Sequence, residues 1–137
     1  MAISPYLTFG TTCREAFTRY QKVFGGDLEI LEMSDVPCDP TSTPEQMKLV
    51  AHASLTWGDN LLMGSDDPTG RFEKSQGTYV CYSAPNVEEA ERVWAELSEG
   101  GEVEMPLGEA FFSPRFGTCV DRFGTPWMVV VDTGDTA

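Results

Sequence analysis

The chain writes one pattern twice. Tyr6-Leu7-Thr8-Phe9 is followed by Glu15-Ala16, an aromatic at Tyr20, the pair Gly25-Gly26 and the alternating Asp27-Leu28-Glu29. Tyr79-Val80-Cys81-Tyr82 is followed by Glu89-Ala90, an aromatic at Trp94, Gly100-Gly101 and Glu102-Val103-Glu104. Matching Tyr6 to Tyr79, Ala16 to Ala90 and Gly25 to Gly100 changes the spacing by only two residues. Strand, helix and glycine stop therefore recur in one order. A module of this size buries too little surface to stand alone, so the two are expected to pack together, with a ligand surface between them.

In the first module Ile3 to Phe9 reads as a strand, and Thr12-Cys13-Arg14-Glu15 has the form of a capping box. Ala16, Phe17, Tyr20, Val23 and Phe24 share one helical face, and Gly25-Gly26 supplies the stop. A strand around Leu28 and Ile30 follows. Ser34 to Lys48, with Pro37, Pro40 and Pro44, reads as an irregular loop long enough to cover a site. Leu49 to Trp57 and Asn60 to Ser65 flank Gly58-Asp59 as a hairpin, and polar residues 66–76 lead to the second module.

That module repeats the order: a strand at Thr78 to Tyr82, a helix capped by Asn86 with Glu89 at its third position, and a stripe of Val87, Ala90, Val93, Trp94 and Leu97. A short strand at Glu102 to Met105, a loop over Pro106 to Pro114, and strands at Arg115 to Val120 and Trp127 to Val131 complete it. Two tandem β-α-β-β-β modules, 1–68 and 76–133, make one α+β domain with helices on one side of mostly antiparallel sheets.

Charge narrows the partners. Twenty-two acidic against nine basic residues give a net charge of −13, which disfavours phosphate backbones and anionic membranes. No run approaches the roughly 20 apolar residues of a membrane span, and Met1-Ala2-Ile3-Ser4-Pro5 lacks the basic and apolar regions of a signal peptide. Cys13, Cys38, Cys81 and Cys119 form no Cys-x-x-Cys pair, as expected of reduced thiols in a cytoplasmic protein.

Six motifs resemble those of one family in order: Pro5-Tyr6-Leu7-Thr8-Phe9, Cys13-Arg14-Glu15-Ala16, Phe24-Gly25-Gly26, Ala51-His52-Ala53, Leu62-Met63-Gly64-Ser65-Asp66, and Asp121 through Met128. They resemble the PhnB-like family, often labelled demethylubiquinone methyltransferase-like, of the vicinal oxygen chelate superfamily that includes glyoxalase I, bleomycin-resistance proteins and extradiol dioxygenases. The resemblance implies a cup-shaped mixed sheet built by the two modules and a homodimer. In metal-dependent members of the superfamily, His or Glu side chains converge from the first and last strands of each module. The matching positions here are Tyr6, Leu62, Tyr79 and Met128, none of them an imidazole or carboxylate, so no metal and no cofactor is expected.

His52 is the only histidine and the candidate catalytic base or polar anchor, weighed against a histidine satisfied by one backbone partner. Asp66 and Asp67 could join it around a cation, or start the turn before Pro68. Cys13 at a helix start could be a reactive thiol or a packing residue, and Asp121 to Gly124 reads as a hairpin turn rather than a calcium loop. No glycine-rich strand-to-helix turn supports the methyltransferase label. A cup lined by Tyr6, His52, Leu62, Tyr79, Phe112 and Met128 would hold an apolar or aromatic small molecule. The alternative is a lyase, isomerase or dioxygenase with a divergent metal site or with His52 as general base.

Overall fold

A computed structural model of the chain describes residues 3–36 and 41–132, so Pro37, Cys38 and Pro40 lie outside the described residues. Its contacts divide the chain into two compact units, Met1–Glu73 and Lys74–Ala137. The α+β expectation is met in both: each holds a four-stranded mixed sheet with a twelve-residue helix on one face.

In the first unit β1 (Tyr6–Phe9), α1 (Cys13–Phe24), β2 (Asp27–Glu32), the short α2 (Pro44–Met47), β3 (Val50–Trp57) and β4 (Asn60–Asp66) assemble in the spatial order β1-β4-β3-β2. β1 runs parallel to β4 and the other neighbours are antiparallel. The apolar stripe of α1 explains its seat: Cys13, Ala16, Phe17, Tyr20 and Val23 are buried against the sheet, while Phe24 stacks on Trp57 at 4.7 Å.

The second unit follows the same plan with β5 (Val80–Ala84), α3 (Val87–Ser98), β6 (Glu102–Ala110), β7 (Ser113–Val120) and β8 (Pro126–Val131), ordered β5-β8-β7-β6. Ala90, Val93 and Leu97 of α3 are buried with Trp127, Val129 and Val131 of β8.

The glycine stops have a shared steric reason. A β-carbon on Gly26 would overlap the carbonyl oxygen of Thr56, and one on Gly101 would overlap that of Val120. In both modules the chain leaving the helix presses directly onto the third strand, and only glycine permits the approach.

Several local expectations are corrected. Thr12 makes no side-chain cap; the first helical amide, that of Cys13, is held by the Asp66 carboxylate at the end of β4, at 2.9 Å. Asn86 does cap α3, accepting from the Glu89 amide at 2.8 Å. The segment after β2 is not wholly irregular: Met33–Asp35 forms a 3₁₀ turn, and Pro44 opens α2 under a reciprocal Thr43–Gln46 box. Proline ends helices but also starts them at the first position, where its missing N–H costs nothing. Residues 106–110 belong to β6 rather than a loop, since an edge strand with register shifts tolerates Pro106.

Candidate functional site

Strand alternation fixes which side chains face away from the helices. On the first sheet Leu62, Gly64 and Asp66 of β4 point to α1, and a β-carbon on Gly64 would lie 2.7 Å from the Phe17 ring. The intervening Leu61, Met63 and Ser65 point to the open face. Tyr6 pairs with Met63 and Leu31 pairs with His52, which places all four on that open face.

His52 is partly exposed there. The hydroxyl of Tyr6 lies 3.3 Å from its Nδ1, with ring centroids 5.8 Å apart and planes inclined by 34°. Tyr6 and Leu31 remain 48% and 45% exposed beside the imidazole, while Leu61, 38% exposed and opposite Thr56, lies farther along the same face. Nε2 of His52 has no protein partner among the described residues.

Leu62 is a correction: it is 1% exposed and part of the core beneath α1, so it cannot line an open site. Phe112 is another. It stands at the β6–β7 hairpin tip, half exposed, packed edge-on against Phe116 at 5.0 Å, rather than on a strand face. Tyr79 precedes β5, and its hydroxyl donates to Glu104 Oε1 at 2.8 Å. That bond to a carboxylate raises the phenol above its ordinary range. The same tyrosine lines an open cavity of about 290 Å³ with Glu102, Glu104, Val120 and Pro126. Met128 faces the open side of the second sheet and pairs with Cys81.

The parallel register therefore replaces Tyr79 with Cys81 as the counterpart of Tyr6, since Tyr6 meets Met63 as Cys81 meets Met128. Met63 lies one residue from the expected Leu62, and Cys81 is the residue that sequence reasoning passed over. The Leu61-Leu62-Met63 run is apolar throughout and carries no alternation to set its phase. The available signal was Gly64, whose missing side chain marks the face pressed by a helix.

The first and last strands thus offer a phenol and a thioether in one module, and a thiol and a thioether in the other. Neither pair suits the imidazole and carboxylate chemistry of zinc, iron, nickel or manganese centres. Burial also raises the Cys81 thiol, which opposes the thiolate a metal would need. Among the described residues no three His, Cys, Asp or Glu side chains converge as a metal cluster.

The remaining candidates are structural. Asp66 is buried with one oxygen on the Cys13 amide and the other on the Val50 amide, both at 2.9 Å. Asp67 takes the turn role, accepting from the Thr69 amide and hydroxyl. Cys13 is fully buried, and burial, with the nearby Asp66 charge, pushes its thiol up to about 12, which removes it as a nucleophile. The Asp121 carboxylate accepts from the amides of Phe123 and Thr125 and from the Trp127 indole, all at 2.9 Å, closing the β7–β8 turn.

Known proteins share this plan. Protein PA1353 from Pseudomonas aeruginosa has a crystal structure 39% identical in sequence, with a TM-score of 0.88 over 96% of this chain and 98% of its own. The PhnB protein from Bacillus cereus is 25% identical, with a TM-score of 0.78 over 96% of this chain and 100% of its own. Protein YjdN of Escherichia coli (strain K12) is 31% identical over 96% of this chain and 95% of its length. A lactoylglutathione lyase from Agrobacterium tumefaciens, 18% identical with a TM-score of 0.57 over 99% of this chain and 97% of its own, shares the fold. With residues 1–130 matching the family described as 3-demethylubiquinone-9 3-methyltransferase, the chain belongs to that PhnB-like family.

Proposed function

We propose that the protein is a metal-free small-molecule-binding protein that holds an apolar or aromatic ligand against the open face of its first sheet, with His52 as the polar anchor. The observation that carries this reading is the partly exposed imidazole, tethered through Nδ1 to Tyr6 and flanked by the uncovered side chains of Tyr6 and Leu31. Apolar side chains around a few placed polar groups are the usual composition of a small-ligand site. The family's methyltransferase description finds no support in the turn from β1 into α1, which contains a single glycine, Gly10, rather than a cradle for a nucleoside cofactor.

The protein acts as a cytoplasmic homodimer in this reading. Light scattering giving a concentration-independent monomer mass would remove the dimer. The direct test is a fragment screen read by the single pair of His52 ring signals, in wild type and in Leu31→Ser. Aromatic fragments should move those signals, with weaker binding in the variant. A stoichiometric transition metal in protein purified without chelator, lost in His52→Ala, would overturn the metal-free reading.

A further inference from the structure

The contact between Tyr6 and His52 decides what the imidazole can offer a ligand. A neutral imidazole has one N–H donor and one lone-pair acceptor, and the partner of one nitrogen determines the role of the other. A tyrosine hydroxyl conjugates its oxygen into the ring, so it donates more readily than it accepts. Among the described residues the hydroxyl of Tyr6 has one partner, His52 Nδ1 at 3.3 Å. The proton is therefore best used in donation to Nδ1, leaving the imidazole proton on Nε2.

We infer that Tyr6 is a positioning residue that holds His52 as an Nε2–H donor, so that this face selects a neutral carbonyl oxygen on a planar, apolar molecule. The inference rests on the small-molecule reading of the same face. Tyr6 and Leu31, on either side of the imidazole, supply the apolar platform. Glu29, which shares the face through its pairing with Ser54, and the net charge of −13 oppose a carboxylate in the same place. An Nε2–H cannot abstract a proton, so the arrangement also argues against His52 as general base.

Because the chain has one histidine, a spectrum of ¹⁵N-histidine-labelled protein at mildly alkaline pH reports this ring alone. The expected spectrum has a lone-pair signal at Nδ1 and an N–H signal at Nε2. Tyr6→Phe, at a half-exposed position, should leave the melting temperature unchanged and move the Nδ1 signal toward that of an imidazole with no donor. Benzamide should shift Nε2 and bind about fivefold tighter than toluene or benzoate, the margin of one hydrogen bond. Tyr6→Phe should remove that margin and spare toluene. A protonated Nδ1 in wild type, or an Nδ1 signal indifferent to Tyr6→Phe, overturns the positioning role. Toluene binding as well as benzamide overturns the donor role while keeping an apolar site. If none of the three probes moves the His52 signals, both the carbonyl preference and the small-molecule reading of this face fail.

Discussion

The two modules share a backbone plan and differ in almost everything attached to it. α1 begins with its first amide held by Asp66, a residue from the far end of β4, whereas α3 begins under its own neighbour Asn86. The open face of the first sheet carries Tyr6, His52, Ser54 and Met63, while that of the second carries Cys81, Phe116, Thr118 and Met128. The glycines that end the helices, by contrast, are the same residue in the same clash at Gly26 and Gly101. The difference teaches where a duplicated fold is free to change. Backbone contact between helix exit and third strand admits no side chain, but the face turned away from the helix imposes only solubility.

That contrast can be broken most severely at the shared points. Gly26→Ala and Gly101→Ala should each cost about 3 kcal/mol or more in urea denaturation, since overlap with a main-chain carbonyl cannot be relieved by rotating a side chain. Gly26, at φ +91°, adds left-handed strain and should be the more damaging of the two. If alanine were tolerated at both, the steric account of the repeat would be wrong.

The helix starts should separate next. Asp66→Ala strands two buried amides and should cost about 2–4 kcal/mol. Asn86→Ala exposes its amide to water and should cost about 1 kcal/mol. Equal losses would mean that Asp66 is no more than an ordinary cap.

Alkaline pH should then weaken both modules for one reason. Burial raises Cys13 to about 12 and Cys119 to about 11, from an ordinary value of 9. The folded chain retains a proton that the unfolded chain releases, so the thiols' contribution is intact below pH 9 and is lost as pH rises toward the folded values. Each thiol should contribute a decline of about 1.4 kcal/mol per pH unit in that window. Cys13→Ala should be less stable at neutral pH yet show a shallower alkaline slope. An unchanged slope would locate the titration elsewhere.

The smallest effect concerns the open faces. In a Cys38→Ser background, a thiol reagent should modify Cys81, the counterpart of Tyr6, and leave Cys13 and Cys119 untouched in native protein. Modification should be slow, because partial burial also raises the Cys81 thiol. Rapid labelling of Cys119 would show that the second sheet opens in solution.

The order of elements, the stripes of both helices and the Asn86 cap were legible because helical period, glycine stops and cap chemistry are local signals. His52 was legible as a candidate by being the only histidine, but its partner was not, since Tyr6 lies 46 residues away and the contact depends on sheet register. Leu62 was placed on the wrong face because three successive apolar residues hide the phase of a strand. Tyr79 matched Tyr6 by identity although the ladder matches Cys81. What stayed hidden in each case was a nonlocal pairing, which one strand cannot declare alone.

The carboxylate of Asp66 also bears on the order of events as the chain folds. It joins residues 53 positions apart, so the start of α1 stays unsecured until β4 has found its place beside β1. The start of α3 needs only a contact three residues away and can form early. Loop closure must precede the reward from a distant contact, so the second module should nucleate first and the first should complete late. Kinetic measurements should then show Asn86→Ala slowing refolding and Asp66→Ala chiefly accelerating unfolding. The reverse pattern would mean that β1 and β4 meet before either helix is set.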